Sequence, residues 1–166
     1  MNTEILDKIS NALNTKFPGA VDSAELPYDF PVFTVKTSQV HDILRFLKED
    51  QDLNFHFLTD LTGLQTADEK QLAVVYHLHN MPKNIRVRIK SFFDIQKPEV
   101  PTATDLWPAA NWMERETYDF FGIRFTGHPN LKRILNVDEM DIFPMRKEYP
   151  LEDQTRDDKE DKMFGR

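Results

Sequence analysis

The chain has no cysteine. That absence excludes disulfides, thiol nucleophiles and cysteine-ligated iron–sulfur clusters within it. Long apolar runs are missing too, and nothing approaches the roughly 18 residues that a membrane span requires. The opening MNTEILDKIS has neither the basic n-region nor the apolar core of a secretory leader. Basic residues are outnumbered, and a net charge of −7 argues against general binding of nucleic acid or anionic lipid. GxSxG, GxGxxG, Walker and HExxH patterns are all lacking. What remains is a chain of 166 residues, 40% hydrophobic and 30% charged, the make-up of one globular domain with a sizeable core.

Apolar spacing predicts the elements of the first half. Ile5, Leu6, Ile9 and Leu13 share one helical face between Thr3 and Lys16, and Phe17-Pro18-Gly19 stops that helix. Val21 to Leu26 reads as a weak strand and Phe30 to Lys36 as a stronger one, with Pro31 at its start or on an edge. Thr37 or Ser38 can cap a second helix striped by Val40, Ile43, Leu44 and Leu47. Three alternating strands follow. Phe55, Phe57, Thr59 and Leu61 share a face of the first; Leu72, Val74, Tyr76 and Leu78 oppose Ala73, Val75, His77 and His79 in the second. Ile85, Val87 and Ile89 point inward in the third, with Arg86, Arg88 and Lys90 outward. The expected class is α+β: two helices packed on a mainly antiparallel sheet, followed by an extended C-terminal region with one short helix.

The texture changes at Gln96, where six prolines begin to divide the rest. Three parts are expected: a sheet domain over 1–95, a proline-punctuated wrapping region over 96–151, and a charged arm over 152–166 that is extended or disordered alone. The one helix of the wrapping region lies around Trp112. Asn111 and Glu114 fit a capping box, and Gly122 fits the C′ position. At about 100° per residue, Phe120, Met113, Thr117, Phe121 and Tyr118 share a broad apolar side. Glu116, Asp119 and Arg115 lie opposite with Trp112, while Glu114 falls on the apolar side. Glu114 either closes the capping box, with Arg115 and Asp119 as an i,i+4 pair, or is partly buried against an arginine of a following loop or a partner.

Catalytic constellations fare poorly. His77 and His79 make at most two ligands of a metal site that needs three or more. Glu114 and Glu116 diverge by about 160° on a helix, so they cannot flank one glycosidic bond. The Arg86, Arg88, Lys90 stripe reads as a solvated face or a dock for an acidic surface. His128, in Gly-His-Pro, reads as a turn histidine; a stand-alone hydrolase using it with Glu116 or Asp119 is a minor rival, and a nucleic-acid module a lesser one still. The pattern favours a subunit or interaction protein over a free-standing enzyme.

The stretch ERETYDFFGIRFTGHPNLKRIL, Glu114 to Leu135, resembles the signature of the C subunit of the proton-pumping NADH–quinone oxidoreductase, respiratory complex I. The matching positions include Glu114, Arg115, Glu116, Tyr118, Asp119, Gly122, His128, Pro129 and Arg133. PMRKEYPL, Pro144 to Leu151, is similar to that family's closing PLRKDYPL and carries Arg146 and Lys147. One departure is Ile142-Phe143, where the family usually has Gly-His.

The resemblance implies a non-redox structural subunit of the hydrophilic arm. Its expected place is against the large D protein of the quinone site, near the cluster-bearing B and I proteins of the complex. It implies no cofactor, metal or catalytic residue in this chain, with FMN and iron–sulfur clusters in partner subunits. It implies a peripheral position on the cytoplasmic side of a bacterial inner membrane, and a quinone-site protein on a separate polypeptide, since the sequence ends at Arg166. The named signature residues are expected to form ion pairs and hydrogen bonds within the wrap or across the junction. The alternative is the equivalent subunit of a membrane-bound hydrogenase or similar ion-pumping oxidoreductase.

Overall fold

A computed structural model describes residues 2–149, so the charged arm expected at 152–166 lies outside the described residues. Helix α1 spans Asn2–Lys16 and ends where Phe17 N–H bonds back to the Leu13 carbonyl. Strand β1 (Val21–Glu25) pairs antiparallel with β2 (Val32–Val35) across a 3-10 turn at Pro27–Asp29. Pro31 stands just ahead of β2, where its missing N–H costs the ladder nothing.

Helix α2 is Val40–Glu49, and its four expected stripe residues Val40, Ile43, Leu44 and Leu47 are all buried. Its start differs from expectation. Neither Thr37 nor Ser38 caps it; a 3-10 turn at Thr37–Gln39 leads in, and the Thr37 hydroxyl instead meets Ser91 Oγ at 2.8 Å and donates to the Phe92 carbonyl.

Strands β3 (Phe57–Gln65), β4 (Gln71–Asn80) and β5 (Ile85–Asp94) form antiparallel hairpins, and the five-stranded sheet runs β1-β2-β5-β4-β3. The β2–β5 pairing at its centre is parallel, which the mainly antiparallel expectation accommodates. Both outermost strands carry a register break, β1 between Val21 and Ser23 and β3 between Leu58 and Asp60. The second break overturns the expected face of β3. A bulge shifts the pleat by one residue, so Leu58 and Leu61 are buried while Phe57 and Thr59 are exposed.

Two elements had no periodic signal. Strands β6 (Glu99–Pro101) and β7 (Arg124–Thr126) make a separate parallel pair at either end of helix α3 (Ala110–Phe121). Val100, Ala103, Leu106, Trp107, Ala110, Phe121, Ile123 and Phe125 join the same hydrophobic core as Ile9, Leu13, Ile43, Tyr76 and Ile89. The wrapping region therefore closes first over the chain's own sheet. Trp107 donates its indole N–H to the His56 carbonyl, and Lys48 reaches the Leu106 carbonyl, tying the approach to α3 onto α2 and the start of β3.

Candidate functional site

Helix α3 crosses β3 at Gly63. A side chain there would place its Cβ 2.7 Å from Phe121 Cδ2 and 3.0 Å from Thr117 Cγ2, so glycine is what permits the approach. The helix begins one residue before the expected cap, after Ala109, with no side-chain cap. Asn111 lies inside it and the capping box is not formed. The far end follows expectation: Gly122 adopts the left-handed conformation at φ +72° and returns its N–H to Tyr118.

Glu114 is fully buried, as the second of its two readings has it, but its partner is not an arginine. Thr102 Oγ1 donates to Oε2 and the Ala103 N–H to Oε1, both at 2.6 Å, so the carboxyl fastens α3 to the turn that precedes it. Burial pushes its pKa up to about 7 although these two hydrogen bonds favour the ionised form. Tyr76 points into the same region from β4. Its buried hydroxyl has no hydrogen-bond partner among the described residues, and burial, with the nearby Glu114 charge, raises its pKa.

The expected Arg115–Asp119 pair does not form either, because each side chain turns to the loop after β7. Arg115 donates to the carbonyls of Lys132, at 3.1 Å, and Arg133, at 2.8 Å. Asp119 receives the N–H groups of Ile134, Leu135 and Asn136, the Asn136 amide and a 2.7 Å ion pair from Arg133. Burial alone would raise the Asp119 pKa, but the Asn136 and Leu135 N–H groups and Arg133 together hold it far below the usual aspartate range. The polar side of α3 is thus half covered by the chain itself. Trp112 and Glu116 remain exposed there.

The remaining signature residues serve the same wrap. His128 lies 3.2 Å from the Asn111 carbonyl through Nε2 and accepts the Asn130 N–H through Nδ1, which places its proton on Nε2. Pro129 follows it in an irregular turn. Arg133 also donates to the carbonyls of Met140 and Ile142. Arg146 donates to the Phe121 carbonyl at 2.7 Å, and Lys147 reaches the Thr66 carbonyl beyond the end of β3. Phe143, at the Ile-Phe departure, lies between Arg133 and Arg146, whose guanidinium carbons sit 5.1 and 4.8 Å from its ring. The ring fits only because Gly122 beneath it has no Cβ, which would stand 2.6 Å away. Tyr118 meets the same ring edge-on at 6.2 Å.

Among the described residues, Arg115, Asp119 and Arg133 turn to backbone groups of the loop after β7. A cleft of about 380 Å³ touches the signature at Tyr118, Gly122 and Arg146, with Phe143 in its wall. On the outer sheet face, Arg88 Nε donates to His77 Nε2 at 2.7 Å and His77 Nδ1 faces Asp60 at 3.4 Å, a polar row across three strands that alternation alone did not reveal. No group of three or more histidine, aspartate or glutamate side chains placed to hold a metal occurs among the described residues. No described helix is long and apolar enough to cross a membrane.

Similarity to known proteins follows the same region. The model of the respiratory-chain NADH dehydrogenase 30 kDa subunit family matches residues 33–155. The chain is 41% identical over 151 residues to the C subunit of NADH-quinone oxidoreductase from Roseiflexus sp. strain RS-1, covering 90% of this chain and 84% of that one. A trypsin-resistant fragment of Nqo5 superposes with TM-score 0.63 at 28% identity, over 79% of this chain and all of the fragment, 100%. A chain in the membrane-bound sulfane sulfur reductase, an archaeal respiratory membrane complex, superposes with TM-score 0.73 at 27% identity, over 87% of this chain and 85% of that one. With the match spanning β2 to the end of the wrap, and with the signature residues forming the hydrogen-bonded frame around α3, the chain belongs to the 30 kDa subunit family of respiratory-chain NADH dehydrogenase, whose members include the C subunit of NADH-quinone oxidoreductase.

Proposed function

We propose that the chain is a non-redox structural subunit of the hydrophilic arm of an NADH–quinone oxidoreductase. In this reading it docks on the large quinone-site protein, near the partners that carry iron–sulfur clusters, and lies peripherally on the cytoplasmic side of a bacterial inner membrane. FMN and clusters belong to those partners, which pass electrons from NADH to quinone while protons are translocated. The observation that carries the reading is the use made of the signature. Arg115, Asp119, Arg133 and Arg146 are each engaged by backbone groups of one wrap. Such a frame presents a surface of fixed shape, which lowers the ordering cost of association.

Affinity purification of the tagged full chain from native membranes tests this. Companion flavin and cluster subunits, with NADH–quinone activity in the recovered material, are the expected result; a chain recovered alone refutes it. The likeness to the sulfane sulfur reductase chain favours one second reading, an equivalent subunit of a related ion-pumping complex with another electron donor. Co-purifying subunits without an NADH-oxidising flavoprotein would select it.

A further inference from the structure

Three large apolar side chains near α3 stand out in water: Trp112 is 62% exposed, Leu135 64% and Val137 63%. Single exposed apolar residues are ordinary, but these hang on one common support. Arg115 sits over the Trp112 ring at 5.3 Å and binds the Lys132 and Arg133 carbonyls, joining the indole to the loop that follows. One helical turn on, Asp119 gathers the N–H groups of residues 134–136. Arg133 then clips the far end of the loop through the Ile142 carbonyl at 2.9 Å. Residues 133–142 thereby form a compact loop whose ends meet at one guanidinium. Its backbone polar groups turn inward to Asp119 and Arg133, while Leu135 and Val137 remain outside.

The rim of this patch is acidic. Glu116, Asp138, Glu139 and Asp141 are exposed, with Lys132 as the exposed cation beside them. A preordered set of apolar side chains flanked mainly by carboxylates fits a binding face, and its charge selects what it binds. We propose that Trp112 and the Leu135–Asp141 loop are a docking surface for a companion protein of the complex whose own face is apolar at the centre and basic at the rim. The inference rests on the subunit reading above and names the part of the chain that meets the partner. Trp112 and the two aliphatic side chains supply the anchor, and the carboxylates steer encounter and set register. The loop needs no ordering at the moment of contact because Asp119 and Arg133 have already fixed it.

The test uses the full chain, tagged and expressed in its own host in place of the wild type. One variant combines Leu135→Asp with Val137→Asp, and a second combines Asp138→Lys with Glu139→Lys. All four side chains project into water, so both purified variants should melt with the wild type, and circular dichroism checks this. Companion subunits recovered by pull-down, quantified by mass spectrometry, should fall about tenfold or more with either variant, as losing one hot-spot contact does. Tyr28→Ser with Met81→Ser, two exposed apolar residues elsewhere, should recover companions at the wild-type level. Undiminished recovery with both patch variants, while the wild type carries its companions, overturns the surface alone. Loss confined to the Tyr28 and Met81 variant overturns it as well. A wild-type chain that carries no companion overturns the subunit reading and this surface with it.

Discussion

Arg133 Nη1 stands 2.7 Å from Asp119 Oδ1, with that carboxylate wholly withdrawn from solvent. The pair holds a whole loop, because the other oxygen of Asp119 gathers three consecutive backbone N–H groups. Asp119→Asn leaves the guanidinium buried without its counter-charge and should cost about 3–5 kcal/mol in urea unfolding. A loss under about 1 kcal/mol would mean that the loop is held by something else. The folded pKa of Asp119 is depressed, so its contribution is complete above the ordinary value of 3.8 and is lost as pH falls toward the lower folded value. Asp119→Asn should remove that part of the acid unfolding curve.

Glu114 imposes the opposite slope. Its folded pKa of about 7 lies above the ordinary 4.5, so between those values the native state holds a proton that the unfolded chain has released. Stability should therefore fall as pH rises through that window and level off above it, by up to about 3 kcal/mol from this group. Glu114→Gln keeps an acceptor for the Ala103 N–H and should flatten the decline. Denaturant midpoints at pH 5, 6, 7 and 8 measure it, and an unchanged slope in the variant would assign the decline to another group.

Gly63→Ala tests the crossing of α3 over β3. The added methyl would meet Phe121 at 2.7 Å, and the ring is held within the core. Overpacking of this kind costs about 1–3 kcal/mol. The measurement is the thermal midpoint of the purified chain, and a variant as stable as wild type would show that α3 can lift from the strand without loss.

The row across the outer sheet face makes a spectroscopic prediction. Arg88 donates to His77 Nε2, so the ring proton belongs on Nδ1, toward Asp60. Burial first, and then the Arg88 charge, lower the His77 pKa, with Asp60 acting against them. Nitrogen chemical shifts should report the Nδ1–H tautomer near neutral pH, with titration below the ordinary 6.5. Arg88→Met should move the midpoint upward, and no movement would mean that the cation does not act on the ring.

Much of this fold could be read from spacing. The stripe of α2 and the alternation of Val87 and Ile89 came through because each lies in a regular element with one buried side. The faces of β3 did not, since one inserted residue between Leu58 and Asp60 inverts the pleat and leaves no mark in composition. The short β6–β7 pair has too few residues to show a period. At the site, the residue types were legible and their partners were not. Arg115 and Asp119 have the spacing of a helical pair, but a distant loop offers each of them several backbone groups at once. Glu114 meets a threonine hydroxyl and a main-chain N–H in a stretch without pattern, where a wheel can announce burial but cannot name the donor.

The irregular pairing in both outermost strands bears on the life of the chain before assembly. A straight, unbroken border would invite a second sheet to extend the ladder, whereas a kinked border twists its donors and acceptors out of line. Each kink makes its edge a poorer template for a second copy of the chain than a regular strand would be.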